Sequence, residues 1–224
     1  MKIGWKRGYR VLAVSAAALL VAGGAVAVAD AAHGGKGKAK AHVAKQLVRS
    51  GVHADVSLIR ADGSTDAFAV DRGKVTASSA TSLTLARADG KSVTFSVTST
   101  TVARRIVTVG RPAIVFSRNG AAFRIVAAGP VTMAPVMPAL AGKSPVVHLD
   151  VTFVRADGST GSITLDRGQV TASSSTSLTI KRDDGKSVTF TIGAGATVRG
   201  HLAVGGKALV LSRYGAVVRV LARG

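Results

Sequence analysis

No cysteine and no glutamate occur among the 224 residues. Without thiols the chain forms no disulfide and no zinc–thiolate centre, and it carries out no thiol chemistry. Without Glu, all carboxylate chemistry falls to 11 Asp, set against 30 Lys and Arg for a formal net charge of +19. Aromatic residues make up only 4% of the chain, so a core must be built from Val, Leu, Ile and a few Phe. Proline is scarce as well, and four of the five cluster in "GPVTMAPVMPALAGKSPV". That segment reads as an extended, semi-stiff linker over residues 130–146.

The most informative feature present is a duplication. Residues 52–129 return without a gap as residues 147–224, with turns, apolar positions and charges in register. Two copies so alike share one fold, so the chain divides into two small units, each expected to fold alone. Each is near the size at which a single core covers itself only marginally.

Residues 1–32 have the form of a secretory signal. Lys2, Lys6, Arg7 and Arg10 form a basic start, an apolar run extends from Val11 through Ala29, and small residues around Ala27 and Ala31 offer cleavage sites. The basic start has no adjacent arginines, which favours the general export route over the twin-arginine route. The apolar run approaches the roughly 20 residues that span a bilayer, so the alternative is an uncleaved membrane tether through residues 11–29. Both readings place the copies outside the cytoplasmic membrane. Residues 33–51 form a basic tether.

Period-2 alternation dominates each copy. Val52, Ala54, Val56 and Leu58 mark one face of a first strand, as do Val147, Leu149, Val151 and Phe153 in the second copy. Asp-Gly, Asn119-Gly120 and Tyr214-Gly215 supply hairpin turns. Gly73 and Gly168, inside strand patterns, predict a bulge or sharp bend. "AIVF" (113–116) and "ALVL" (208–211) read as buried strands. The expected fold is all-β: two tandem five- or six-stranded barrels of the oligonucleotide/oligosaccharide-binding (OB-like) kind, with small β-sandwiches as the alternative.

The order of the VH strand, "DRG", "SLTL", "DGKSVTF", a Thr/Val/Arg segment, a "VG" and a closing hairpin resembles an exported bacterial domain family of unknown function. That family occurs in actinobacterial and related envelope proteins. The resemblance covers both copies and implies an OB-like barrel and export. It implies no activity. The family's Gly-Asp before the penultimate strand is here Gly110-Arg111 and Gly205-Gly206.

Candidate chemistry is sparse. His53-x-Asp55 and His148-x-Asp150 repeat on the face opposite the apolar one. Zinc takes at least three protein ligands and this motif supplies two, so an exposed surface pair is expected and no metal site is assigned. Asp62-Gly63, Asp89-Gly90, Asp157-Gly158 and Asp184-Gly185 read as hairpin turns rather than calcium loops. Asp71-Arg72-Gly73 and Asp166-Arg167-Gly168 read as ion-paired bulges, with display of acid and guanidinium to a partner as the other reading. No Gly-x-Ser-x-Gly elbow occurs, and equivalent positions yield no Ser/His/Asp set, so neither an enzyme nor a cofactor is expected.

Phe68, Phe95, Phe116, Phe153 and Phe190 fall on apolar positions and are expected to point inward. That leaves no platform for stacking bases, so sequence-specific nucleic-acid recognition is not expected. The hydroxyl stripe Thr84, Ser92, Thr94 and Ser96, repeated at Thr179, Ser187, Thr189 and Thr191, reads as strand-forming surface.

Each copy carries ten basic against five acidic residues. Six arginines are matched between copies, and an exposed strand position accepts Thr, Ser or Lys equally well, so the fold alone is not expected to require them. Arg60, Arg72 and Arg124, with Arg155, Arg167 and Arg219, are therefore expected to form an anion-binding face, with Arg124 and Arg219 the most exposed. The leading expectation is a non-enzymatic exported envelope protein that holds an anionic wall or extracellular polymer, or rests on an acidic membrane surface. A purely structural spacer without a ligand is the alternative.

Overall fold

Alternation of small β-branched and polar residues, punctuated by Gly turns, gives an all-β structure. A computed structural model describes residues 50–127 and 146–223. The leader, most of the tether and most of the linker lie outside the described residues. The first copy forms β1 (Gly51–Ile59), β2 (Thr65–Ser78), β3 (Ser82–Arg87), β4 (Ser92–Ser96), β5 (Val102–Arg104), β6 (Pro112–Arg118) and β7 (Ala121–Ala127). The second forms β8 (Val146–Val154), β9 (Thr160–Ser173), β10 (Ser177–Arg182), β11 (Ser187–Thr191), β12 (Thr197–Arg199), β13 (Lys207–Arg213) and β14 (Ala216–Arg223). Among the described residues no helix is long and apolar enough to cross a membrane.

The 14-residue β2 organises the first copy. Its first half pairs with β1, its second half with β3, and its middle with β6. Strands β2, β3, β4, β7 and β6 close a five-stranded barrel. Closure rests on one parallel step, in which the Ser96 amide donates to the Gly120 carbonyl at 3.0 Å. The barrel is filled by Val75, Leu83, Leu85, Phe95, Val115 and Ile125. Each large apolar side chain removed from water contributes about 1.5–3 kcal/mol. In the second copy β9, β10, β13 and β14 surround Val170, Leu178, Ile180, Val210 and Val220.

Gly73 has another role than the predicted bulge. The register shift between β2 and β3 falls at Val75/Ala77, beyond the glycine. A Cβ at Gly73 would lie 2.5 Å from the Ala86 carbonyl oxygen, and one at Gly168 would strike the Lys181 carbonyl. Both glycines let two strands cross closely where one sheet passes into the next.

The two copies are joined by β1 and β8, which pair antiparallel. Asp55 faces Asp150, His53 faces Thr152 and Ser57 faces His148. Asp55 and Asp150 hold the same position in their copies, so a local two-fold axis passes between them. On the opposite face Ala54, Val56, Val70, Ile114 and Phe116 of one copy join Leu149, Phe153, Ile163, Leu165 and Leu211 of the other in a single apolar cluster.

Two inward aromatic positions differ from each other. Phe95 is 1% exposed, as expected, but its counterpart Phe190 is only half-buried at the edge of the second cluster. Phe68, Phe116 and Phe153 pack in the cluster shared between the copies rather than inside the barrel.

Candidate functional site

Strand alternation places His53 and Asp71 side by side on the polar face of the β1–β2 ladder. The Asp71 Oδ1 lies 2.8 Å from His53 Nδ1 and accepts from Arg87 Nη1 at 2.6 Å. Arg87 also donates through Nε to Asp89 at 3.0 Å and through Nη2 to the same carboxylate. The second copy repeats this: Asp166 lies 2.8 Å from His148 Nδ1 and accepts from Arg182 Nη1 at 2.7 Å, while Arg182 clasps Asp184. The buried guanidinium thus spans two acids 18 residues apart, one in the middle of β2 or β9 and one in the turn after β3 or β10.

These contacts correct three expectations. His53 and His148 are half-buried partners of a buried carboxylate and not an exposed pair. The acid of each Asp-Arg-Gly triplet pairs with Arg87 or Arg182 rather than with its neighbour at a bulge. One of the six matched arginine pairs, Arg87 with Arg182, is therefore required by the fold. A charge buried without its partner costs several kcal/mol, which ties the members of each network together.

Local symmetry is broken at the seam. His53 Nε2 lies 3.0 Å from Asp55, so both ring nitrogens face carboxylates. The hydrogen bonds to Asp55 and Asp71 raise the His53 pKa to about 9, and the same contact holds Asp55 below the usual carboxylate range. Asp150 instead accepts from Thr164 at 3.2 Å. Ser57 is buried opposite His148, and no hydrogen bond joins the two. Among the described residues no cluster of three His or Asp has metal-binding geometry.

The expected anion-binding arginines fall into two sets. Ladder register places Arg72 beside Ile114, Arg124 beside Phe116, Arg167 beside Leu209 and Arg219 beside Leu211. All four are on the face that carries the shared apolar cluster. Arg124 and Arg219 are half-buried, a correction to the expectation that they are the most exposed, and Arg124 stands 5.7 Å over the Phe116 ring. Arg167 pairs with Asp183 at 3.3 Å. Burial pushes the Arg72 pKa down.

Arg60 and Arg155 follow the equivalent strands β1 and β8, and their surroundings have diverged. Arg60 Nη2 and Arg118 Nη2 both reach Asp66 Oδ2, at 2.9 and 2.8 Å, and Arg118 Nε donates to Oδ1 at 2.9 Å. In the second copy the acid is replaced by Gly161. Arg155 and Arg213 instead lie 4.2 and 4.8 Å from the centre of the Tyr214 ring. Their Nε atoms are buried without a hydrogen-bond partner. Beside them is a cavity of about 400 Å³, to which Lys91 of the first copy also contributes. Each matched arginine taken singly does not reveal this site. The signal for this site was the loss of the acid between two retained arginines.

The turn carboxylates behave as expected of hairpins. Asp62 accepts from the Ser64 amide and hydroxyl, and Asp157 does the same with Ser159. Thr84 and Thr94 bond to each other at 2.9 Å, as do Thr179 and Thr189, so part of the hydroxyl stripe is satisfied across the strands. No protein-family model matches the chain, and no curated protein matches it.

Proposed function

We propose that this is a non-enzymatic, exported protein of the cell envelope whose two OB-like barrels hold an anionic wall or extracellular polymer. One observation carries the reading. Every aspartate among the described residues is engaged by a histidine, arginine, serine or threonine of the protein. The acids are thus occupied internally, while Lys91, Arg104, Arg105, Arg111, Lys181, Arg199 and Lys207 stand exposed. A positive field of this kind attracts polyanions without demanding a precise ligand shape. The leader supports export, and the resemblance to exported bacterial domains supports the OB-like reading of both copies.

An acidic membrane surface is the second reading. Exposed Val102, Ile106 and Val109 alternate with Arg104, Arg105 and Arg111, a mixture suited to lipid headgroups. Retention of the full chain on isolated cell walls, before and after chemical removal of their anionic polymer, tests the first reading. Retention only on untreated walls supports it. Equal retention on stripped walls, or retention only on acidic vesicles, counts against it.

A further inference from the structure

The structure assigns to the second copy a pocket for a hydroxylated carboxylate, of the kind a sugar acid presents, and this rests on the anion-binding reading above. The first copy shows what such a ligand would do. There the carboxylate of Asp66 takes three hydrogen bonds or ion contacts from Arg60 and Arg118. The second copy keeps both arginines, as Arg155 and Arg213, and deletes the acid, as Gly161. Neither guanidinium forms an ion pair among the described residues, and each has a buried Nε without a partner. Arg155 Nη1 donates to Ser159 Oγ at 3.2 Å and Arg213 Nη2 to the Tyr214 hydroxyl at 2.9 Å, so hydroxyls hold both guanidinia where the first copy has a carboxylate. Planar guanidinium groups match carboxylate and phosphate geometry, and the first copy shows the carboxylate in that place.

Two further features give the position a cavity and a selectivity. Tyr214 replaces Asn119 at the turn and holds φ 54°, a backbone region that a bulky residue rarely adopts. Its ring packs against Gly161, where an added Cβ would lie 2.5 Å from Cε1, so glycine and tyrosine depend on each other. The cavity beside the ring is open to solvent and lined by Lys91, Thr152, Arg155, Thr160 and Ser162. Three hydroxyls beside two cations, Lys91 and Arg155, suit a ligand bearing both hydroxyl groups and one negative charge. Asp89 also lines the space, but Arg87 holds its carboxylate. Asp157, near Arg155, is turned to Ser159.

Two guanidinium groups already lie over the Tyr214 ring, so recognition runs through charge and hydroxyls and not through stacking. Lys91 comes from the β3–β4 hairpin of the first copy, so the pocket exists only when the copies are joined through β1 and β8. The fold already provides its own closed version: Asp66 with Asn119.

The test uses the full chain and glucuronate as probe, with glucose and inorganic phosphate as controls, followed by amide chemical-shift titration at low salt. Glucuronate is expected to shift residues 160–162 and 213–215 saturably, and glucose and phosphate to bind at least tenfold more weakly. Lys91→Gln, an exposed hairpin change, is expected to weaken glucuronate about tenfold. The triple change Phe153→Leu, Gly161→Asp and Tyr214→Asn restores the first copy's residues at all three positions, removes both rings that a Cβ at 161 would strike, and is expected to abolish binding while the chain stays folded. No saturable shift, equal binding of phosphate, or undiminished binding in both variants overturns the assignment. Wall retention is measured on the same variants. Retention that persists in the triple variant, with glucuronate binding lost, leaves both readings standing. Wall retention without any glucuronate binding in the natural chain overturns the pocket alone, and glucuronate binding without wall retention overturns the polymer reading alone.

Discussion

Asp71 accepts a 2.6 Å hydrogen bond from Arg87 Nη1, and both side chains are buried. The pair joins the middle of β2 to the end of β3, where the strand leaves the seam and enters the barrel. Removing the acid leaves Arg87 with Asp89 but strands one of its nitrogens and one face of His53. Asp71→Ala is therefore expected to cost about 3–5 kcal/mol. Urea denaturation measures this, and a loss below about 1 kcal/mol would show that solvent reaches the network.

The pH dependence of stability follows from His53. Its folded pKa of about 9 is above the ordinary value of 6.5, so its contribution is complete below about pH 6.5. That contribution is lost as pH rises through 9. Asp55, Asp66 and Asp89 are shifted the other way, through contacts with His53, Arg118 and Arg87, so their contribution is present above the ordinary 3.8 and is lost as pH falls through their depressed values. Stability is expected to peak between these limits. His53→Asn is expected to flatten the alkaline limb, and urea midpoints between pH 5 and 10 on both proteins check it. An alkaline limb unchanged by the substitution would remove His53 as its cause.

Phe95 and Phe190 occupy equivalent positions with unequal burial, and the asymmetry is measurable. Phe95→Ala removes a fully buried ring and is expected to cost about 3–5 kcal/mol. Phe190→Ala is expected to cost clearly less, because part of its ring already meets solvent. Equal costs in chemical denaturation would contradict the difference in packing.

The apolar cluster that spans β1 and β8 bears on whether the copies fold separately. Residues 51–129 alone keep their barrel core but lose Leu149, Phe153, Ile163, Leu165 and Leu211 from the shared cluster. They also expose the free edge of β1, a template for pairing with another chain. The isolated segment is expected to fold with a lower melting midpoint than the full chain and to self-associate. A monomer that melts at the full-chain temperature would show that the seam contributes little.

The strand pattern was legible because alternation and Gly turns are local signals. Val75, Leu83, Leu85 and Phe95 lie in the core that their period-2 spacing implied. The seam was not legible, since alternation in β1 says that one face is apolar and leaves its lateral partner open. His53–Asp71 and Asp71–Arg87 join residues 18 and 16 apart through strand register, which no motif encodes. Burial of Arg87 was hidden because its two acids lie in separate motifs. The Asp66-to-Gly161 difference lay in plain view between the copies, but its meaning depends on knowing that Arg60 and Arg118 converge there.

The central claim is that the uncompensated positive charge holds an anionic polymer, and the salt dependence of the full chain's affinity for purified wall polyanion tests it most directly. Counterion release predicts a linear fall of log affinity with log salt, amounting to at least about tenfold between roughly 50 and 200 mM. Binding that does not change with salt, or no binding at the lowest salt, would contradict the claim and leave a structural spacer as the better reading.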